Sequence, residues 1–168
     1  AFACCNVCIC LDVSHFFTSQ VTDMEYMFLS CGSLESLEVS HFFTSQVKSM
    51  KYMFASCGSL ITLDLSSFDT SWVEDMGYMF AECESLKTLD ISSFDLSQIH
   101  KYGSDSFLDK TGLSDLQQVS VKQPENLWPS VVRELAELGE SCYQLEQAKM
   151  DIRACKRHGI PLFESELQ

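Results

Sequence analysis

The sequence predicts an α/β repeat solenoid, and three observations lead there. Apolar residues recur at a period of 26, with Leu11, Leu37, Leu63 and Leu89 in one column, Val13, Val39, Leu65 and Ile91 in a second, and Phe16, Phe42, Phe68 and Phe94 in a third. Every unit contains a short alternating segment of the form L-x-x-L-x-[VLI]-x-x-F, and every unit then changes to a spacing of threes and fours. A fixed period of this length belongs to chains whose units cannot bury an apolar face alone and do so against their neighbours.

The alternating segment, as in Leu60, Leu63, Leu65 and Phe68, reads as one strand of a parallel sheet. Successive strands would lie ~4.8 Å apart, with leucine and valine inward and the intervening residue outward. A Thr-Ser pair follows the phenylalanine, preceded by Asp69 or Asp95 in two units, and residues of these types stop strands and cap helices. Val73, Met76, Phe80 and Cys83 then stand at i, i+3, i+7 and i+10, which predicts one face of a helix of two to three turns.

Two methionine columns, Met24, Met50 and Met76 and then Met27, Met53 and Met79, are read as core filling, since methionine packs irregular gaps and favours aromatic neighbours. Tyr26, Tyr52 and Tyr78 should lie half exposed along the helix edges. Cys31, Cys57 and Cys83 repeat in a slot typical of small buried side chains, so free buried thiols are expected there rather than disulfides.

Both ends differ from the middle. Phe2, Cys5 and Cys8 fall on the register of Phe28, Cys31 and Leu34, so AFACCNVCIC reads as the tail of a preceding unit, with something upstream of it. Cys4, Cys5, Cys8 and Cys10 lack the separated C-x-x-C pairs of a zinc ribbon, and no metal is assigned to them. After Ser97 the period decays through a Gly- and Ser-punctuated loop, then Leu116, Val119 and Val121 echo Leu86, Leu89 and Ile91 at a distance of 30, a fifth and last strand. From Pro129 to His158 the pattern is a long amphipathic helix whose stripe includes Val131, Leu135, Leu138, Leu145 and Ile152. The expected organisation is a solenoid over residues 1–123, with a partial first coil and about five strands, followed by a capping or docking helix and tail over residues 124–168.

The pattern SLxxLDLSSFDTSxVxDMxYMFxxC closely resembles the mycoplasma-type, BspA-like leucine-rich repeats of bacterial and protist surface proteins, over residues 2–98. The resemblance implies a leucine-rich-repeat solenoid at the cell surface or outside the cell, used for adhesion or protein binding and without enzymatic activity. HFFTSQ at residues 15–20 and 41–46 departs from the more usual SFDTS, and the C-terminal third has no counterpart in that pattern.

Charge narrows the partners. The 11 basic and 24 acidic residues leave a net charge of −13, which opposes nucleic-acid binding and favours basic or neutral partners. No apolar run approaches the ~20 residues of a membrane helix. A polar column at full register, Asp12, Glu38, Asp64 and Asp90, is flanked by Ser14, Ser40, Ser66 and Ser92 at outward strand positions. Carboxylates ~5 Å apart in water repel by only about 0.8 kcal/mol, so this ladder needs no bound cation, and calcium would want more oxygens than it offers. His15 and His41 are copies of each other, replaced by Ser67 and Ser93 further on, so no unique catalytic set can be composed from them.

The expected function is therefore a non-enzymatic protein-interaction module, with no cofactor and no metal. Its partner surface would be the acidic ladder and its serines together with the aromatics Phe17, Phe43 and Trp72. The alternative is a structural or accessory subunit held in a larger assembly, in an organellar or membrane-associated complex, with the C-terminal helix as docking arm. Free thiols favour that setting over an extracellular one.

Overall fold

A computed structural model of the chain describes residues 9–95, 113 and 116–120. Three short strands, β1 (Thr62–Asp64), β2 (Thr88–Asp90) and β3 (Gln118–Ser120), form a parallel sheet in the order β1-β2-β3. Leu63 pairs with Leu89 and Leu89 with Val119, so the first step is 26 residues and the second is 30, the offset at which Leu116 and Val119 echo Leu86 and Leu89. In β1 the leucine is buried between an exposed threonine and an exposed aspartate, the alternation that a half-buried strand requires.

The pairing continues beyond the regular strands as a chain of single backbone bonds. Glu35 N–H donates to Ile9 O, Ile61 N–H to Glu35 O, Lys87 N–H to Ile61 O and Gln117 N–H to Lys87 O, at 2.8–3.2 Å. Earlier units are linked here by an isolated parallel bridge, Cys10 to Ser36, without an extended strand.

The short helices expected after each strand are not formed among the described residues. Residues 25–30, 51–56 and 77–82 are turns. Their first hydrogen bonds run from i to i−3, as in Met53 N–H to Met50 O, Ala55 N–H to Tyr52 O and Cys57 N–H to Phe54 O. Tyr26, Ser30, Tyr52, Ser56, Tyr78 and Glu82 all have φ between 54° and 59°. A positive φ at the third residue is what a type II turn requires, and it interrupts any α-helix. The physical reason is a competition for donors. Met24, Tyr26, Phe28 and Ser30 give their N–H groups to Ser49, Lys51, Met53 and Ala55 of the next unit, and Met50, Tyr52, Phe54 and Ser56 repeat this onto Asp75, Gly77, Met79 and Ala81. An N–H used between units is unavailable to the i−4 carbonyl of its own unit.

Tandem turns still point residues inward at the spacing read as helical. Met50, Met53, Phe54, Cys57, Val73, Met76, Met79, Phe80 and Cys83 are buried in one continuous core with the leucine, valine and phenylalanine columns. Phe28, Phe54 and Phe80 stack ring on ring at 5.6 and 6.0 Å, and Phe42, Phe68 and Phe94 do so at 6.5 Å. Tyr26, Tyr52 and Tyr78 form a third stack at 5.3 and 5.1 Å, half exposed as expected but on turns instead of helices. Cys31, Cys57 and Cys83 are buried thiols in no disulfide.

Of the four N-terminal cysteines only Cys10, which is exposed, is among the described residues; Cys4, Cys5 and Cys8 lie outside them. The long amphipathic helix expected from Pro129 to His158, with Val131, Leu135, Leu138, Leu145 and Ile152, falls on residues outside the described ones. No helix among the described residues is long and apolar enough to cross a membrane.

Candidate functional site: the outer turn columns

Each unit leaves the core twice on its outer side, and side chains that accept backbone N–H groups lock both exits. At the first, after the strand, Asp12 Oδ1, Glu38 Oε1, Asp64 Oδ1 and Asp90 Oδ1 accept the N–H of Ser14, Ser40, Ser66 and Ser92 at 2.8–2.9 Å. These are side-chain turns of the Asx kind, which hold a bend without using backbone acceptors. The Ser14, Ser40 and Ser66 bonds keep the Asp12, Glu38 and Asp64 carboxyls below the ordinary carboxylate range. At Glu38 the neighbouring Asp64 acts the other way, and the bonds to Ser40 outweigh it. The acidic ladder therefore has a structural role that its outward position does not reveal, each carboxylate being held to a serine N–H.

The second exit rests on a buried threonine. Thr18, Thr44 and Thr70 are almost fully buried, and their hydroxyls accept the N–H of Phe43, Asp69 and Asp95 in the following unit at 2.7–2.8 Å. Thr44 and Thr70 donate in return to Asp69 O and Asp95 O. Each threonine is thus a clasp between consecutive units. The sequence pattern presents these threonines as strand stops and helix caps. The available signal was a polar residue kept identical through three units and replaced by Leu96 in the fourth.

Directly before the clasp stands the position at which the units diverge. Asp69 holds its turn by accepting both the N–H and the hydroxyl of Ser71, and Ser71 keeps its carboxyl below the ordinary range. Phe17 and Phe43 occupy the same slot two and one units earlier, 95% and 67% exposed. A phenyl ring cannot accept those hydrogen bonds, although Ser19 and Ser45 are still present to offer them. Trp72, 68% exposed, lies one unit beyond Phe43 and three residues further along its turn, in the column of Gln20 and Gln46. The three aromatics are thus distributed over three consecutive units.

In the histidine column His15 is exposed and His41 is partly buried. His41 Nε2 lies 2.8 Å from Val13 O, where it can donate, and its ring meets Phe42 edge-on at 5.0 Å. In the same column Ser93 donates to Leu65 O at 3.0 Å, so this position serves contacts between units. Among the described residues no three His, Cys, Asp or Glu side chains converge as metal ligands. The outer columns offer anchored carboxylates, hydroxyls and exposed aromatic rings.

Comparison with known proteins places the sequence at family level. No curated protein and no solved structure matches it. Residues 1–117 match the family described as "Mycoplasma protein of unknown function, DUF285". That match takes in every described unit up to the approach to β3, and the chain belongs to this family.

Proposed function

We propose that the chain is a leucine-rich-repeat-like solenoid acting as a non-enzymatic protein-binding module, and that its partner docks on the outer columns around Phe17 and Phe43. One observation carries the reading. At a slot where Asp69 locks its turn, two earlier units place phenylalanines that are 95% and 67% exposed and stand outside the buried core. Exposing large rings side by side favours association over solubility, and aromatic residues dominate the energetics of protein interfaces. Trp72 and the acidic ladder would extend the surface. Membership of the mycoplasma-protein family agrees with the BspA-like resemblance, whose adhesive role is consistent with such a surface.

The test compares wild-type protein with a Phe17→Ser/Phe43→Ser variant as immobilised baits in extract or medium from the source. A protein retained by the wild type and released by the double variant supports this surface. Equal retention by both would place binding elsewhere.

A further inference from the structure

The chemistry around the two phenylalanines specifies the kind of partner. Residues 9–95 contain thirteen carboxylates against three lysines and no arginine. None of those lysines lies in the columns next to the aromatics. Lys51 is paired with Asp75 at 3.5 Å, while Lys48 and Lys87 occupy other columns. Asp12 and Glu38, five residues before Phe17 and Phe43, are exposed. His15 and His41 stand between them in sequence, three residues after each carboxylate and two before each ring. Each is held by one oxygen to a serine N–H, so its direction is set before anything binds. Neighbouring units repeat this combination at roughly 4.8 Å, the spacing of paired strands.

We propose that the Phe17–Phe43 surface takes a cationic, apolar polypeptide segment, with large aliphatic or aromatic side chains against the two rings and Arg or Lys groups against Asp12 and Glu38. This rests on the reading of that surface as a binding site. An acidic or purely polar segment fits it poorly. A carboxylate brought to the ladder meets like charge with no lysine or arginine of residues 9–95 beside it, and a segment without large side chains leaves the rings in water. Fixed carboxylates also suit the fork of a guanidinium, which can donate a bidentate pair of hydrogen bonds and stack on a ring.

Fluorescence anisotropy against three labelled peptides of equal length decides the matter, with alternating Leu-Arg, Leu-Gln and Leu-Glu sequences. The account expects the Leu-Arg peptide to bind at least tenfold more tightly than Leu-Glu, with affinity falling as salt rises. It expects a further loss of about tenfold in Phe17→Ser/Phe43→Ser and a loss of several-fold in Asp12→Asn/Glu38→Gln, whose amide oxygens still accept the serine N–H groups. If Leu-Gln or Leu-Glu binds as well as Leu-Arg and the phenylalanine variant weakens it, the binding surface stands and the cationic assignment falls. If no peptide responds to the phenylalanine variant, the surface itself is wrongly placed. Circular dichroism of both variants, expected to match the wild type, separates these outcomes from misfolding.

Discussion

The units over residues 11–60 and those over residues 63–95 share an interior and differ on the outside. Inside, the same phenylalanine, methionine and cysteine columns run through both, buried except for Phe16 and Met27 of the first unit, which are partly buried. Outside, the later units carry Asp69 with its bonds to Ser71, and the earlier ones carry Phe17 and Phe43, exposed beside serines that those rings cannot engage. The interior is constrained by stacking, because a change in one unit is felt by two neighbours. The outer slot is free of that constraint, so a residue there that forgoes local stability points to a role beyond folding.

The largest effects should come from the shared interior, and they should be equal in the two halves. Phe54 is sandwiched between Phe28 and Phe80, and Phe54→Ala should cost about 3–5 kcal/mol by urea unfolding. Cys57 and Cys83 should resist a thiol reagent until the chain unfolds, since burial pushes the Cys83 thiol up to about 12 and the Cys57 thiol higher still. Rapid labelling of either in the native protein would show that the interior is looser than the columns imply.

Next comes the clasp. Thr44→Val keeps the shape but leaves the partly buried N–H and C=O of Asp69 without their hydroxyl partner, at about 1–3 kcal/mol. The loss should appear as faster hydrogen exchange at Asp69, on the boundary between the halves.

Acid should separate the halves more gently. Asp12, Glu38, Asp64 and Asp69 all titrate lower when folded, so the unfolded chain binds more protons as pH falls through ~4. Their contribution is complete at neutral pH and is lost below ~4. Because the unit over residues 63–88 holds two of these carboxylates, Asp64 and Asp69, where the units of Asp12 and Glu38 hold one each, its amides should lose protection first on acidification, which hydrogen exchange by mass spectrometry resolves.

The interior columns, the 30-residue step to β3 and the outward acidic ladder were legible because burial imposes a period that a sequence displays directly. The helices were misread, since Val73, Met76, Phe80 and Cys83 carry the same inward spacing whether the backbone closes i−4 bonds or bends through successive turns. What decides is where Met50, Tyr52, Phe54 and Ser56 send their N–H groups, and a donor going to the next unit leaves no mark on side-chain pattern. Left-handed φ at tyrosine and serine was equally hidden, as neither is the glycine that usually announces it. Of the candidate site, Phe17 and Phe43 were visible as departures from a repeat, whereas the turn-locking role of the Asp12 to Asp90 column needed atomic distances.

The most direct test restores the later units' solution in the earlier ones. In Phe17→Asp/Phe43→Asp each new carboxylate can accept from Ser19 or Ser45 as Asp69 accepts from Ser71. If the phenylalanines are kept for binding and not for folding, the urea midpoint of the double variant will equal or exceed that of the wild type at pH 7. A midpoint clearly below the wild type would mean that the two rings support the fold, contradicting their assignment as a surface set aside for a partner.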